Sequence, residues 1–208
     1  MRTSYSTNFS LTESPISESG NWINGGTVGL DWTNVSTTPG LAIGHQVGAS
    51  YTDATALLAG SWAPDQPAEA TVQAVNVKDA CFQEVELRLR SSLSAHRATG
   101  YEILFKASKS GGAYAGVVRW NGALGDFTPL TPLLFGSQYG VTEGDVVKAS
   151  IVGNVITAYI NGAVVWTVTD STYSTGSPGM GFNLENAGAG CTGTNGDYGF
   201  KNFSVTAQ

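Results

Sequence analysis

Apolar and polar residues alternate with a period of two along much of this chain. In QEVELRLRSS (residues 83–92), Val85, Leu87 and Leu89 share one parity, while Glu84, Glu86, Arg88 and Arg90 share the other. That is the pattern of a half-buried β-strand. Alternating or β-branched runs recur around 27–34, 40–47, 56–62, 69–77, 82–91, 101–107, 114–120, 146–152, 155–160, 163–169, 179–184 and 198–206, each short enough for a strand. Almost no stretch carries the 3.6-residue apolar period of a helix. In GNVITAYINGAVVWTVTD, Asn161-Gly162 supplies the positive φ angles of a type I′ hairpin turn. With a second turn at Gly153-Asn154, residues 146–169 are expected to form a three-stranded meander. Strands at this spacing with Gly-rich turns predict an all-β antiparallel sandwich or barrel with very little helix.

The connections between these runs are short. Ala63–Pro67, Ser108–Gly112 and Thr128–Pro132 are rich in turn residues, and none is long enough to link two domains. No internal repeat is visible, so residues 1–208 are read as one domain. With 208 residues and 41% apolar content, the chain can bury one large core. Gly188–Asp197 (GAGCTGTNGD) is low in complexity and is expected to be a mobile surface loop. Gly188-x-Gly190-x-x-Gly193 matches a dinucleotide fingerprint as a string, but no βαβ unit surrounds it.

Charge narrows the partners. Ten basic and 16 acidic side chains give a net charge of -6, the wrong sign for tracking a phosphate backbone, so no nucleic-acid partner is expected. No apolar run approaches the length of a spanning helix, and no membrane insertion is expected. The N-terminus lacks the apolar segment of a signal peptide. Cys81 and Cys191, the two cysteines, are too few for a cysteine-based zinc cluster. They form either one bridge or two buried thiols.

Several segments together resemble the concanavalin A-like (laminin G-like) jelly-roll superfamily. They are Gly100–Phe105, Val118–Gly122, Glu143–Lys148, the hairpin segment 153–170 and Gly179–Phe182. The resemblance covers roughly residues 70–206 and implies a jelly-roll β-sandwich. The superfamily includes lectins, carbohydrate-binding modules, adhesion domains, endoglucanases, alginate lyases and 3-keto-disaccharide hydrolase-like domains, so fold does not choose the activity. The resemblance also makes Ca²⁺ a candidate ligand of turn acids. Asp53, Asp65, Asp126, Asp145 and Asp197 lie near turns, with Asp126 and Asp145 as the weak candidates carried forward.

Two chemistries are tested against the charged strand. Residues two apart on a strand lie about 6.8 Å apart on one face, so Glu84 and Glu86 could act as a hydrolytic pair. The similar endoglucanases, however, carry a third acid on that strand, where this chain has Arg88 and Leu89. Glu86-Leu87-Arg88 is similar to part of the alginate-lyase strand Arg-x-Glu-Leu-Arg. In that reading Arg88, with Arg90 and Arg119, would neutralise a uronate, and Tyr101 or Tyr114 would move protons. Glu84 departs from the lyase motif, and the lyases' Gln-x-His strand is missing; the chain has His45-Gln46-Val47 instead.

Binding without catalysis is the broader expectation. Sugar sites combine aromatic platforms with a few fixed polar groups. The candidates are Trp62, Tyr101, Tyr114, Arg119 and Trp120 beside Glu84, Glu86, Arg88 and Arg90. Trp22, Trp32 and Trp166 are assigned to core packing, and Arg119 and Trp120 must face opposite sides of their strand. The competing structural role for the charged row is a cross-strand salt-bridge ladder with Glu102, Lys106 or Arg119. The leading expectation is a glycan-binding or surface-adhesion sandwich, with a glycan or polysaccharide as partner and an extracellular or virion-surface location. A bacteriophage decoration or tail-associated role is its specific form. Homo-oligomer or virion assembly, an alginate-lyase-like enzyme and a purely structural assembly protein are the alternatives.

Overall fold

The computed structural model describes residue 1 and residues 3–46, 51–186 and 191–206. Its first strands are β1 (Ser4–Thr7), β2 (Trp22–Asn24), β3 (Val35–Thr38), β4 (Leu41–Gly44) and β5 (Ala54–Leu58). Longer strands follow: β6 (Gln66–Ala74), β7 (Cys81–Ser94), β8 (Arg97–Lys106) and β9 (Tyr114–Gly122), then the short β10 (Phe127–Pro129) and β11 (Leu134–Phe135). The chain continues through β12 (Val146–Val152), β13 (Val155–Ile160), β14 (Ala163–Thr169), β15 (Ser177–Asn186) and β16 (Tyr198–Thr206).

These strands form two eight-stranded antiparallel sheets. The first runs β14-β13-β12-β6-β16-β4-β3, with β1 also paired to β16. The second runs β10-β9-β8-β7-β15-β5-β2, with β11 also paired to β9. Helix is confined, among the described residues, to three short 3-10 turns. The architecture is an all-β jelly-roll sandwich.

Alternation explains the core. Val85, Leu87 and Leu89 of β7 point between the sheets and meet Phe182 of β15 and Phe200 and Phe203 of β16, all fully buried. Burial of each such side chain contributes roughly 1.5–3 kcal/mol. A second, smaller cluster forms on the outer face of the second sheet, from Leu104, Tyr114, Val118 and Trp120 together with Leu30 and Trp32. Both faces of that sheet are therefore covered over part of its area.

The meander over β12, β13 and β14 has the bounds expected from the sequence. Asn161 (φ 52°) and Gly162 (φ 79°) supply its left-handed turn. The expected strand at 27–34 is not one. The segment holds a 3-10 turn at Gly26–Val28 and then crosses from β2 in the second sheet to β3 in the first. Its apolar residues Leu30 and Trp32 pack sideways onto the outer face, which mimics strand burial in the sequence. The expected run at 40–47 ends as a strand at Gly44, and Val47 lies outside the described residues.

Cys81, the first residue of β7, is bonded to Cys191 with a Cα separation of 4.9 Å. Gly188 and Gly190 lie outside the described residues. The described end of their loop is tied down by this bridge and by a capping box in which Thr194 and Asp197 bond each other's backbone. The bridge spans 110 residues of sequence. Reduction, or Cys191→Ser, is expected to lower the unfolding free energy by up to about 4–5 kcal/mol on the chain-entropy model. Urea unfolding with and without reductant measures the difference.

Candidate functional site

The outward residues of β7 and β8 converge on one guanidinium. Register places Arg88 opposite Glu102, and Arg88 Nη1 lies 2.6 Å from Glu102 Oε2. Arg88 Nη2 reaches Asp53 Oδ2 at 3.3 Å and also pairs with Glu86 Oε2. All four residues are buried. Trp32 covers the group, with its ring centroid 5.0 Å from Arg88 Cζ. On the neighbouring strand β15, Gly181 makes the arrangement fit: a methyl there would collide with Glu86 Oε2 and come within 3.0 Å of Arg88 Nε. The expected charged row is thus a buried ion cluster. Removing one partner of such a cluster costs far more than an exposed pair contributes.

Beside this cluster, over β8 and β9, lies a cleft of about 400 Å³. Tyr114, Trp120, Phe127, Phe82 and Tyr51 supply its aromatic surfaces, and Leu104, Val118 and Leu133 its aliphatic ones. The rings form a connected set: Trp32–Trp120 at 4.4 Å, Trp120–Phe127 at 5.2 Å and Phe127–Tyr51 at 5.4 Å between centroids. Glu84, Glu102, Asp53, Asn183 and Glu185 bring polar groups to the same cleft. Glu84 accepts from Tyr114 Oη through Oε1 and from Asn183 Nδ2 through Oε2, the latter at 2.8 Å. Trp120 Nε1 donates to Glu102 Oε2 at 2.5 Å. A chain of fixed polar groups thus runs beneath an aromatic wall.

Electrostatics follow from burial. Burial is the largest influence on Glu84 and raises it from 4.5 to about 7, against the lowering effect of its bonds to Tyr114 and Asn183. Asp53 and Glu86 are both raised well above the ordinary carboxylate range, first by burial and then by Glu102, with Arg88 opposing. Burial pulls Arg88 down, but Glu102, Glu86 and Asp53 outweigh it and hold the guanidinium charged. Tyr114 is raised by burial and by the adjacent Glu84.

The structure separates the residues singled out from the sequence. Glu84, Tyr114 and Trp120 line the cleft; Glu86 and Arg88 lie in the ion cluster beside it. Arg90 leaves the row. A bulge shifts register between Leu89 and Ser92, and Arg90 adopts φ 45°. Its guanidinium donates to the carbonyls of Pro64, Tyr173 and Gly153. Tyr101 and Arg119 have the opposite parity from Glu102 and Trp120 and meet at Asp170 instead. Burial and then the Asp170 bond push Tyr101 up to about 12. Trp62 packs in the main core and borders a separate depression of about 510 Å³ that, among the described residues, no acidic or basic side chain lines.

The turn acids also resolve differently from expectation. Asp126 is exposed and accepts from Asn121, while Asp145 is engaged by Thr142, Asn161 and Lys109. Among the described residues, the acids that gather as a cation-sized set are Asp53, Glu86 and Glu102, with ligand atoms within 4.8 Å of one another. That set could hold a divalent cation by its chemistry. Here the Arg88 guanidinium occupies its centre. The sequence pattern marks Asp53 only as a turn acid and does not place Asn183, Phe82, Tyr51 or Phe127 in the site. Parity within NLE at 183–185 is the one local signal for Asn183.

No protein-family model matches the chain, and a search of curated protein sequences returns no match. Solved structures do match. The carbohydrate-binding module CBM66 from Bacillus subtilis superposes with a TM-score of 0.58 at 16% identity, covering 83% of this chain and 97% of that one. The potassium-bound carbohydrate recognition domain of Emp46p gives 0.59 at 10% identity, with 89% and 88% covered. The Bacillus licheniformis β-glucanase gives 0.59 at 13% identity, with 100% and 99% covered. At these identities the likeness is one of fold: a jelly-roll sandwich shared by carbohydrate-binding modules and glucanases.

Two outcomes test this site. Arg88→Ala leaves three buried carboxylates without their cation and is expected to destabilise the fold by about 3–5 kcal/mol, measured by urea unfolding. The pH dependence has a defined sign. Glu84 binds its proton more tightly folded than unfolded, so its contribution is complete below about pH 4.5 and is lost as pH rises through about 7. Asp53 and Glu86 act in the same direction, whereas Asp145 and Asp170, held low, lose stability in acid. Unfolding free energy should therefore peak near pH 5 and fall toward pH 8, by up to about 3 kcal/mol from Glu84. Glu84→Gln should flatten that fall.

Proposed function

We propose that this chain is a non-catalytic glycan-binding or surface-adhesion module that holds its ligand in the aromatic cleft over β8 and β9. The observation that carries this reading is the engagement of the polar groups beneath the cleft. Tyr114 and Asn183 hold Glu84, Trp120 and Arg88 hold Glu102, and Arg88 stands where the similar endoglucanases have a third acid. Such an array is built to stay in place. Aromatic faces with fixed polar groups suit a sugar ring, which has apolar faces and a polar edge. The carbohydrate-binding module and carbohydrate recognition domain among the similar folds support the same reading.

An eliminative reaction on a uronate draws no support from the geometry. Arg88 is already neutralised by three acids, and Tyr101 belongs to the opposite face. Display on a virion or cell surface is the setting this reading favours, because weak individual binding gains affinity when many copies are arrayed.

Glycan-array screening followed by calorimetry on the best ligand tests the proposal. Phe127→Ala and Tyr51→Ala are expected to weaken binding about tenfold each, or about 1.4 kcal/mol, without loss of folding. Incubation with the bound polysaccharide should release neither new reducing ends nor unsaturated products. Turnover that disappears in Glu84→Gln would replace the binding reading with an enzymatic one.

A further inference from the structure

The aromatic cleft is stopped on two adjacent sides. At the end nearer the β7–β8 hairpin, Trp32, Trp120, Phe127 and Tyr51 stand ring against ring, although they come from the crossover, β9, β10 and the segment before β5. Trp32 is held in this wall from both directions. Ahead of it the crossover is tied to the hairpin tip, where His96 N donates to the Gly29 carbonyl at 3.0 Å and Asp31 Oδ1 lies 2.8 Å from His96 Nδ1. Behind it Thr33 N donates to the Asp53 carbonyl at 3.3 Å, and Thr55 N donates to the Thr33 carbonyl at 3.1 Å. Anchored in this way, the wall is a fixed part of the sheet's outer face.

The second stop stands along β9. The connection between β10 and β11 is stitched to that strand: Leu130 N donates to the Val117 carbonyl at 2.9 Å, and Val117 N donates to Thr131 Oγ1 at 3.4 Å. Leu133 then folds over Gly116, where a methyl group would come within 2.7 Å of Leu133 Cδ2. Gly116 shares the outward parity of Tyr114 and Val118, so Leu133 and its neighbour Pro132 rise along the β9 side of the cleft. Phe127 and Pro129, the β10 partners of Trp120 and Val118, fill the corner between the two stops.

An internal sugar of a linear chain has a neighbour on each side and needs two ways out, roughly opposite one another. A terminal sugar needs one. A chain laid along the strands over Leu104 runs into the ring wall, and a chain laid across them runs into Leu133. Each path has one end stopped. We propose that the cleft takes the terminal sugar of a glycan and turns internal units away. On a surface-attached glycan the reducing end is anchored, so the sugar recognised is the non-reducing one. This inference rests on the glycan-binding reading above and adds to it the position in the chain that is bound.

A glycan array tests it when every linear oligosaccharide is tethered by its reducing end and printed in two forms, one with the outer unit free and one with that unit capped by a benzylidene acetal. Capping leaves every internal unit in place and should lower binding by about tenfold or more. Calorimetry then compares the disaccharide and the octasaccharide of the best-bound backbone. Their Kd values should agree within about threefold, with one protein bound per octasaccharide.

Binding that survives the cap would overturn the chain-end inference and leave glycan binding standing. So would an octasaccharide that binds about tenfold tighter than the disaccharide, or that carries more than one protein. Absence of binding to every glycan on the array would overturn both.

Discussion

The convergence of Asp53, Glu86 and Glu102 on Arg88 sets the terms for the second sheet. Each ion would be costly to bury alone, so the four groups stand or fall together. Their joint requirement is a closely packed patch where β8, β7, β15 and β5 run side by side. Gly181 supplies the clearance on β15, and Trp32 arrives from the crossover segment to shield the guanidinium from water. The aromatic cleft is the continuation of this patch toward β9. Trp120 belongs to both, packing edge-on against Trp32 and donating to Glu102.

A charged cluster of this kind gives specificity of arrangement more than net stability. Hydrophobic residues of similar volume would pack there at lower desolvation cost. What they would not do is fix the direction of Glu102, and through it Trp120, relative to Glu84. The polar groups of the cleft thus inherit their positions from the ion cluster beside it.

Much of the fold was legible because alternation and turn chemistry are local. The bounds of β12, β13 and β14 follow from Asn161-Gly162 and β-branched runs that need no tertiary information. The short edge strands β1, β2, β10 and β11 were not legible, since two to four residues cannot establish a period. The site was legible by half. Parity placed Glu84, Glu86 and Arg88 on one face, and Arg119 opposite Trp120. It failed at Arg90, where a bulge resets parity, and it could not say which face Tyr101 shared because register between strands is a tertiary property. Nor could it distinguish an exposed row from a buried one, because the cover comes from residues 25–34, far earlier in the chain. Asp53 and Asn183 were hidden for the same reason: each reaches the patch from a segment distant in sequence.

The strand order has a consequence for when this protein can fold. β15 lies between β7 and β5 in one sheet, and β16 lies between β6 and β4 in the other. Both are the last strands of this sandwich to be synthesised. Until they emerge, each sheet exists as two halves with open inner edges, and Phe182, Phe200 and Phe203 are missing from the core. Non-local pairing of this kind folds slowly and exposes unpaired edges in the meantime. A nascent chain halted before residue 177 would therefore carry 14 of the strands described here and neither completed sheet.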